Sequence, residues 1–166
     1  VVENKSDRVM PFTVGGHPAF IVPMDEGATF TDYQLVFPCK EEGRSLLVAT
    51  GLVDGDEIIP LENGSVLPLS HAWFDDRDTL VFPEMNSRSV DLVHKETGKG
   101  LRIRYPKMEV LAVWSKPHAN ADYVCLEPWH GLPSLVNESG NFEERPYVTL
   151  LQPGMSHQCG YDVQLI

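Results

Sequence analysis

Glycine and proline interrupt this chain at short intervals, and this punctuation limits what the chain can fold into. The 166 residues include 13 glycines and 13 prolines. The segments between them have the length and the residue types of strands, and helical periodicity is scarce. The pattern therefore predicts an all-β protein in which short strands are joined by tight turns. The length fits one domain over residues 1–166, with a hydrophobic core of its own.

Nine segments are predicted to be strands, because their apolar residues alternate or run together between turn residues. They are residues 32–38, 45–50, 78–84, 89–95, 100–106, 109–115, 122–128, 147–153 and 161–166. Turn chemistry predicts hairpins at 95–100 and at Asn63-Gly64. One helical turn is expected near 69–74. This spacing of short strands favours an antiparallel sandwich or a related large β-sheet architecture.

The charge of the chain bears on its partners. The 24 acidic and 13 basic side chains give a formal net charge of −11. Nucleic acids and anionic membrane surfaces are expected to repel such a molecule. No apolar run approaches the roughly 18 residues of a membrane helix. A neutral or small polar ligand is therefore the expected partner, and the oligomeric state stays open.

Cysteine usage indicates a reducing compartment. Cys39, Cys125 and Cys159 are odd in number and widely spaced, and no CxxC pair occurs. We therefore expect reduced thiols and a cytoplasmic location. Cys125 is interpreted as a buried small apolar residue rather than a nucleophile, because no nearby base or positive charge lowers its pKa.

Common cofactor motifs are not found. The six histidines form no HxH or HExxH pattern, and the chain has no GxSxG elbow, P-loop or GxGxxG. We therefore expect neither a metal nor a nucleotide cofactor. Ligands that converge from distant strands escape such a search, so a metal-dependent β-barrel enzyme of the cupin type stays as a minor alternative.

Two stretches are unusual for a β protein. In "GGHPAF" (15–20), His17 follows two glycines, which allow close approach of the backbone to a ligand, and precedes a proline. In "CLEPWHG" (125–131), Glu127 ends an apolar strand segment beside Trp129. A carboxylate in this setting can be desolvated enough to act as a general base, and the indole could offer a flat face to a sugar ring. A structural histidine in a turn and a solvated glutamate are the alternatives.

These stretches carry a resemblance to a known family. "MPFTVGGHPAF" and "YVCLEPWHGLPS" resemble the aldose 1-epimerase (galactose mutarotase-like) family, in particular its divergent bacterial branch. Five stretches follow in the order typical of that branch, and together they extend over nearly the whole chain. They lie at residues 11–20, 32–37, 73–82, 111–115 and 125–131.

The resemblance implies an antiparallel β-supersandwich that binds a free hexose in an open cleft and interconverts its α and β anomers without a cofactor. By motif match, His17 is the general acid and Glu127 the general base, on opposite sides of the sugar. Asp78, in the "DTLVF" stretch, is the best match to an aspartate that holds sugar hydroxyls. A charged turn before a strand is the alternative interpretation of Asp78.

One departure from the family concerns its amino-terminal part, which contributes an arginine and another histidine to the sugar site. Nothing here matches those residues, so the chain resembles the carboxy-terminal part of such a protein, and weak or no activity is expected of this part alone. A non-catalytic carbohydrate-binding module on the same fold is the alternative function.

The sugar itself is not identified by the sequence. Lys116, His118 and Arg77 offer contacts to a phosphate, but the net charge favours a neutral sugar. Trp114 and the histidines other than His17 are interpreted as structural, although His130 is close enough in sequence to Glu127 to reach the cleft rim.

Overall fold

The computed structural model describes residues 1–166 and consists almost entirely of antiparallel strands. The sixteen strands are β1 (Val2–Glu3), β2 (Met10–Phe12), β3 (Val14–Gly15), β4 (Ala19–Ile21), β5 (Tyr33–Val36), β6 (Arg44–Ala49), β7 (Leu52–Ile58), β8 (Val66–Pro68), β9 (Thr79–Phe82), β10 (Ser89–His94), β11 (Gly100–Arg104), β12 (Val110–Trp114), β13 (Tyr123–His130), β14 (Thr149–Leu151), β15 (Ser156–His157) and β16 (Asp162–Leu165). The α-helix α1 spans Ala72–Arg77, and short 3-10 helices span Phe30–Asp32 and Phe142–Glu144.

Two sheets dominate the fold. The larger has seven strands in the order β3-β13-β12-β9-β6-β7, with β4 also paired to β13. The smaller has five strands in the order β16-β11-β10-β5-β8. Two-stranded ribbons, β1-β15 and β14-β2, complete the set. All of the strand pairs are antiparallel.

The main core lies between these two sheets. Alternate residues of the seven-stranded sheet, such as Leu111, Val113 and Leu126, join one cluster of 22 buried residues with Leu35 and Leu92 of the five-stranded sheet. Each sheet therefore buries one face against the other, as in a sandwich. The antiparallel β-sandwich expected from the sequence is confirmed.

The second face of the seven-stranded sheet points away from this core. A smaller buried cluster lies on it, made of Leu46, Val53, Val81, Val110 and Ala112. Partly buried side chains from the segment after β13 pack on this cluster, namely Leu132, Leu135 and Tyr147. This outer face is thus covered only in part, which leaves room for a site on the sheet.

All nine predicted strands are present, and both predicted turns form. Gly98 connects β10 to β11 at a φ of 70°, and Asn63 and Gly64 take φ values of 52° and 73°. The helix begins and ends three residues later than the predicted 69–74, at Ala72 and Arg77. It ends there because Asp78 has a φ of 61°, outside the helical region.

One long strand is missed by the sequence pattern. Strand β7 (LVDGDEI) is mostly exposed and polar, so it lacks the alternation that burial of one face produces. It is defined by pairing with β6 along its length and by a single bridge from Val53 to Leu135. No helix of this structure has the length and apolar character needed to cross a membrane.

Candidate active site

Strand β13 carries the central residues of the candidate site. Its even-numbered residues Val124 and Leu126 point into the main core. Its odd-numbered residues Cys125, Glu127 and Trp129 therefore point to the outer face, because side chains alternate along a strand. A carboxylate thus lies in the middle of a sheet, next to the apolar cluster of the outer face.

His17 reaches this carboxylate through an interruption in the neighbouring edge strand. Strands β3 and β4 both pair with β13, and the pairs Gly15↔Trp129 and Ala19↔Cys125 belong to one continuous register. Between them the ladder is held only by Gly16 N–H donating to Pro128 (2.9 Å) and Leu126 N–H donating to Pro18 (3.2 Å). His17 is therefore the cross-strand neighbour of Glu127.

The two side chains approach closely but unequally. His17 Nδ1 lies 3.3 Å from Glu127 Oε1, and the side chain of His17 is 63% exposed whereas that of Glu127 is 4% exposed. The pair lies side by side on one face of the sheet, with the two groups in direct contact. Their placement on opposite sides of a bound sugar, which the resemblance implies, stays a prediction.

Burial changes the acidity of Glu127. Desolvation raises the pKa of the Glu127 carboxyl above its usual range, and the nearby His17 and Trp129 side chains offset this only in part. A carboxylate of raised pKa is a stronger base than a solvated one. The environment of Glu127 therefore favours proton abstraction.

The two glycines before His17 accommodate aromatic side chains of the protein. A Cβ on Gly15 would lie 2.5 Å from Cδ1 of Trp129, and one on Gly16 would lie 2.4 Å from Cε1 of Tyr161. The expectation that these glycines leave room for a ligand is thus corrected: Trp129 lies over Gly15, and Tyr161 lies over Gly16. The glycines position the indole beside Glu127.

An open pocket of about 380 Å³ contains the pair. Residues of β3, the His17 segment and β13, together with Gly131–Pro133 after it, line this pocket. The volume suits a small ligand. His17, Glu127 and Trp129, which the sequence predicts as site residues, are thus brought together in one pocket.

Asp78 lies outside this pocket, at the end of α1. Its exposed carboxylate accepts a hydrogen bond from the Trp114 indole N–H (3.2 Å) and another from the Thr79 hydroxyl. The Trp114 ring stands edge-on to the His17 ring, with 6.0 Å between centroids. Asp78 is therefore connected to His17 through Trp114.

Trp114, which the sequence interpretation assigned to structure, lies next to His17 and outside the pocket lining. It pairs with Cys125 across β12 and β13, which places both on the outer face. Its ring also packs against Tyr123, with 5.9 Å between centroids. The alternation of "EVLAVWS" would have revealed this position only with the strand order known.

The remaining predicted contacts are occupied within the protein. His130 lines the pocket, as expected of the rim, but its Nδ1 lies 2.6 Å from Glu109 Oε2 and its Nε2 contacts the Thr149 hydroxyl. The guanidinium of Arg77 is paired with Glu57 at 2.6 Å. These groups hold the fold together.

Cys125 lies next to the pair, on the same face of β13. It is buried, and burial raises the pKa of its thiol to about 11, so that the thiol is protonated at neutral pH. This agrees with its interpretation as a buried apolar residue. Even so, its sulfur, a His17 ring nitrogen and a Glu127 oxygen all lie within 4.8 Å of one another.

Comparison with known proteins assigns the fold. No protein-family model matches the chain. The chain has the galactose mutarotase-like fold. A galactose mutarotase related enzyme from Lactobacillus acidophilus superimposes with a TM-score of 0.87 at 25% identity, over 99% of this chain and 55% of that one.

Two further relatives agree. A galactose mutarotase-like protein from Lactobacillus casei superimposes with a TM-score of 0.84 at 25% identity, over 99% of this chain and 56% of that one. Protein LacX of Lactococcus lactis subsp. lactis is 33% identical over 170 residues, which cover 100% of this chain and 56% of LacX. The chain thus spans a little more than half the length of the relatives it matches.

Proposed function

We propose that the protein is an aldose 1-epimerase, which interconverts the α and β anomers of a hexose. The observation that carries the proposal is the register match of His17 with Glu127, which gives a buried carboxylate and an exposed imidazole a common pocket. The fold and the names of the relatives from Lactobacillus support the same reaction class.

The proposed reaction begins with the sugar's anomeric carbon above the pair. Glu127 takes the proton of the anomeric hydroxyl while protonated His17 donates a proton to the ring oxygen. The bond between the anomeric carbon and the ring oxygen breaks, and the anomeric hydroxyl oxygen becomes a carbonyl oxygen. Rotation about the adjacent carbon–carbon bond and reclosure, with both protons returned, give the other anomer.

The side-by-side arrangement suits this chemistry. The anomeric hydroxyl and the ring oxygen are bonded to the same carbon, so the acid and the base must reach two neighbouring oxygens. Nδ1 and Oε1, 3.3 Å apart, are close enough to reach two such neighbouring oxygens. The raised pKa of Glu127 supports its role as the base.

A neutral sugar is the proposed substrate. Arg77 is already paired with Glu57, and His118 lies 3.7 Å from Asp75, so these candidate phosphate contacts are partnered by carboxylates. The net charge of −11 also opposes a phosphorylated ligand. Trp129 offers its ring as the platform for the sugar, and Asp78 is proposed to hold a hydroxyl at the outer end of the site.

The test is the relaxation of freshly dissolved α-D-glucose or α-D-galactose, followed by polarimetry with the full-length protein. The proposal expects faster relaxation than in buffer, with the acceleration abolished in His17→Ala and in Glu127→Ala. His118→Ala, at an exposed position, serves as the control. Unchanged rates in both site variants would contradict the assignment. Sugar binding by calorimetry without any acceleration would favour the non-catalytic binding function.

A further inference from the structure

Three side chains with different metal-binding groups converge where His17 and Glu127 line the pocket, with the buried Cys125 next to them. They are His17, from the interruption between β3 and β4, and Cys125 and Glu127, two residues apart on β13. The three ligand atoms all lie within 4.8 Å of one another. No other group of at least three His, Cys, Asp or Glu side chains in the chain meets this condition.

We propose that His17, Cys125 and Glu127 form a binding site for a thiophilic divalent cation such as Zn²⁺, and that the bound ion inhibits the enzyme. The binding stands on the geometry alone. The inhibition rests on the proposed function, because the ion occupies the same imidazole nitrogen and carboxylate that the reaction needs free.

The distances are close to those of a tetrahedral zinc site. Zinc bonds of about 2.0–2.3 Å to nitrogen, oxygen and sulfur place pairs of ligand atoms about 3.3–3.6 Å apart. His17 Nδ1 and Glu127 Oε1 are already 3.3 Å apart. Every pair of ligand atoms lies within 4.8 Å, so tetrahedral coordination requires each pair to close by about 1.2 Å at most.

The chemistry of the three groups favours zinc over a hard cation. A thiolate and an imidazole are preferred by Zn²⁺ and related soft or borderline ions, whereas Mg²⁺ and Ca²⁺ prefer oxygen ligands. A thiolate and a carboxylate together balance the double positive charge, and the thiol proton passes to solvent. Three protein ligands leave a fourth position open for water, as in catalytic zinc sites.

The exposure of His17 gives the ion a path of entry to the two buried ligands. Cys125 and Glu127 are buried, whereas His17 is largely exposed. The Cys125 thiol has no part in the proposed proton transfers. We expect the Cys125 sulfur to contribute most of the affinity for the metal, and His17 to bind the ion from the solvent side.

The experiment is a titration with Co²⁺, an optical substitute for Zn²⁺, using a Cys39→Ser/Cys159→Ser variant in which Cys125 is the remaining thiol. We expect a near-ultraviolet thiolate-to-cobalt band that saturates at one equivalent and disappears when Zn²⁺ is added. Cys125→Ser in this background should lose the band. His17→Ala should weaken Co²⁺ binding by about tenfold or more, since loss of a direct ligand costs at least as much as loss of an outer-shell partner.

A second measurement follows mutarotation against added Zn²⁺, with each variant compared with its own metal-free rate. The background variant should be inhibited at the Zn²⁺ concentrations that displace Co²⁺, and Cys125→Ser should need about tenfold more Zn²⁺ or more. Absence of the band, or its persistence in Cys125→Ser, would overturn the site. A metal-dependent band without any accelerated mutarotation would overturn the proposed function and leave the site standing.

Discussion

Strand β13 takes part in two histidine–glutamate pairs, and they differ in almost every respect. Glu127 faces His17 of the edge strand at 3.3 Å, with the glutamate buried and the histidine exposed. His130 faces Glu109, which precedes β12, at 2.6 Å, with the histidine 12% and the glutamate 38% exposed. In the first pair the glutamate is the buried member, and in the second pair the histidine is.

The difference between the pairs shows what separates a reactive pair from a structural one. Both ring nitrogens of His130 are engaged, one by Glu109 and the other by the Thr149 hydroxyl. His17 has a single polar contact, with Glu127, and the rest of its ring is free to meet a ligand. Unused hydrogen-bonding capacity, together with a desolvated carboxylate, marks the His17 pair as the one available for chemistry.

Removing one carboxylate from each pair should give the largest contrast. Glu127→Gln should lower the rate of mutarotation by about 100-fold or more, since general base catalysis contributes about 10²–10⁴. Glu109→Gln should change it by no more than a few fold, because Glu109 supports His130 and does not meet the sugar. Polarimetry of the two variants at matched concentration measures both. Equal losses in the two variants would remove the distinction.

The absence of a side chain at Gly15 lets the Trp129 indole pack next to the His17–Glu127 pair. Gly15→Ala would set a Cβ 2.5 Å from Cδ1 of Trp129 and force the ring to move. We expect a loss of about 1–3 kcal/mol in the free energy of unfolding, together with weaker sugar binding by calorimetry. Gly160→Ala, where a Cβ meets nothing within 4 Å, is the matched control. A stable Gly15→Ala variant with unchanged binding would show that Trp129 is not held by this contact.

The structural pair should reveal itself in stability. His130→Ala leaves Glu109 and Thr149 without their partner and should lower the free energy of unfolding by about 1–3 kcal/mol. His118→Ala, at an exposed pair with Asp75, should change it by less than about 0.5 kcal/mol. Urea denaturation of both variants gives the comparison. An equal, small effect at the two sites would mean that the His130 pair is not structural.

The smallest expected effect is on the pH dependence of stability, and it comes from His157, which lies next to the structural pair. Burial, followed by repulsion from the nearby His130, lowers the pKa of His157, whose ring lies 5.0 Å from that of His130. Its folded pKa is below its unfolded one, so its contribution to stability is present above about pH 6.5 and is lost as the pH falls. The urea midpoint should therefore decrease more on acidification in the wild type than in His157→Gln. Parallel curves would exclude this linkage.

Much of this architecture is predictable from local sequence. The strands that bury one face, such as 89–94 and 100–104, have alternating patterns that reflect their burial. His17 and Glu127 stand out because each has an unusual local frame. The turn at Asn63-Gly64 is recognisable in the sequence because these two residue types tolerate positive φ, which both adopt in the structure.

The rest depends on pairing, which no local pattern contains. That His17 faces Glu127 follows from the register of β3 and β4 against β13, and that Trp114 joins them follows from its pairing with Cys125. The space beside Gly15 and Gly16 belongs to side chains distant in sequence, so the glycines alone suggest a ligand where Trp129 and Tyr161 lie.

The interruption at His17 also affects how the molecule meets other chains. Strands β3 and β4 lie at one edge of the seven-stranded sheet, and a continuous free edge is a template for intermolecular pairing. Here the edge is divided into segments of two and three residues, and Pro18 between them has no N–H to donate. The same break that aims the imidazole at Glu127 therefore protects this edge against aggregation.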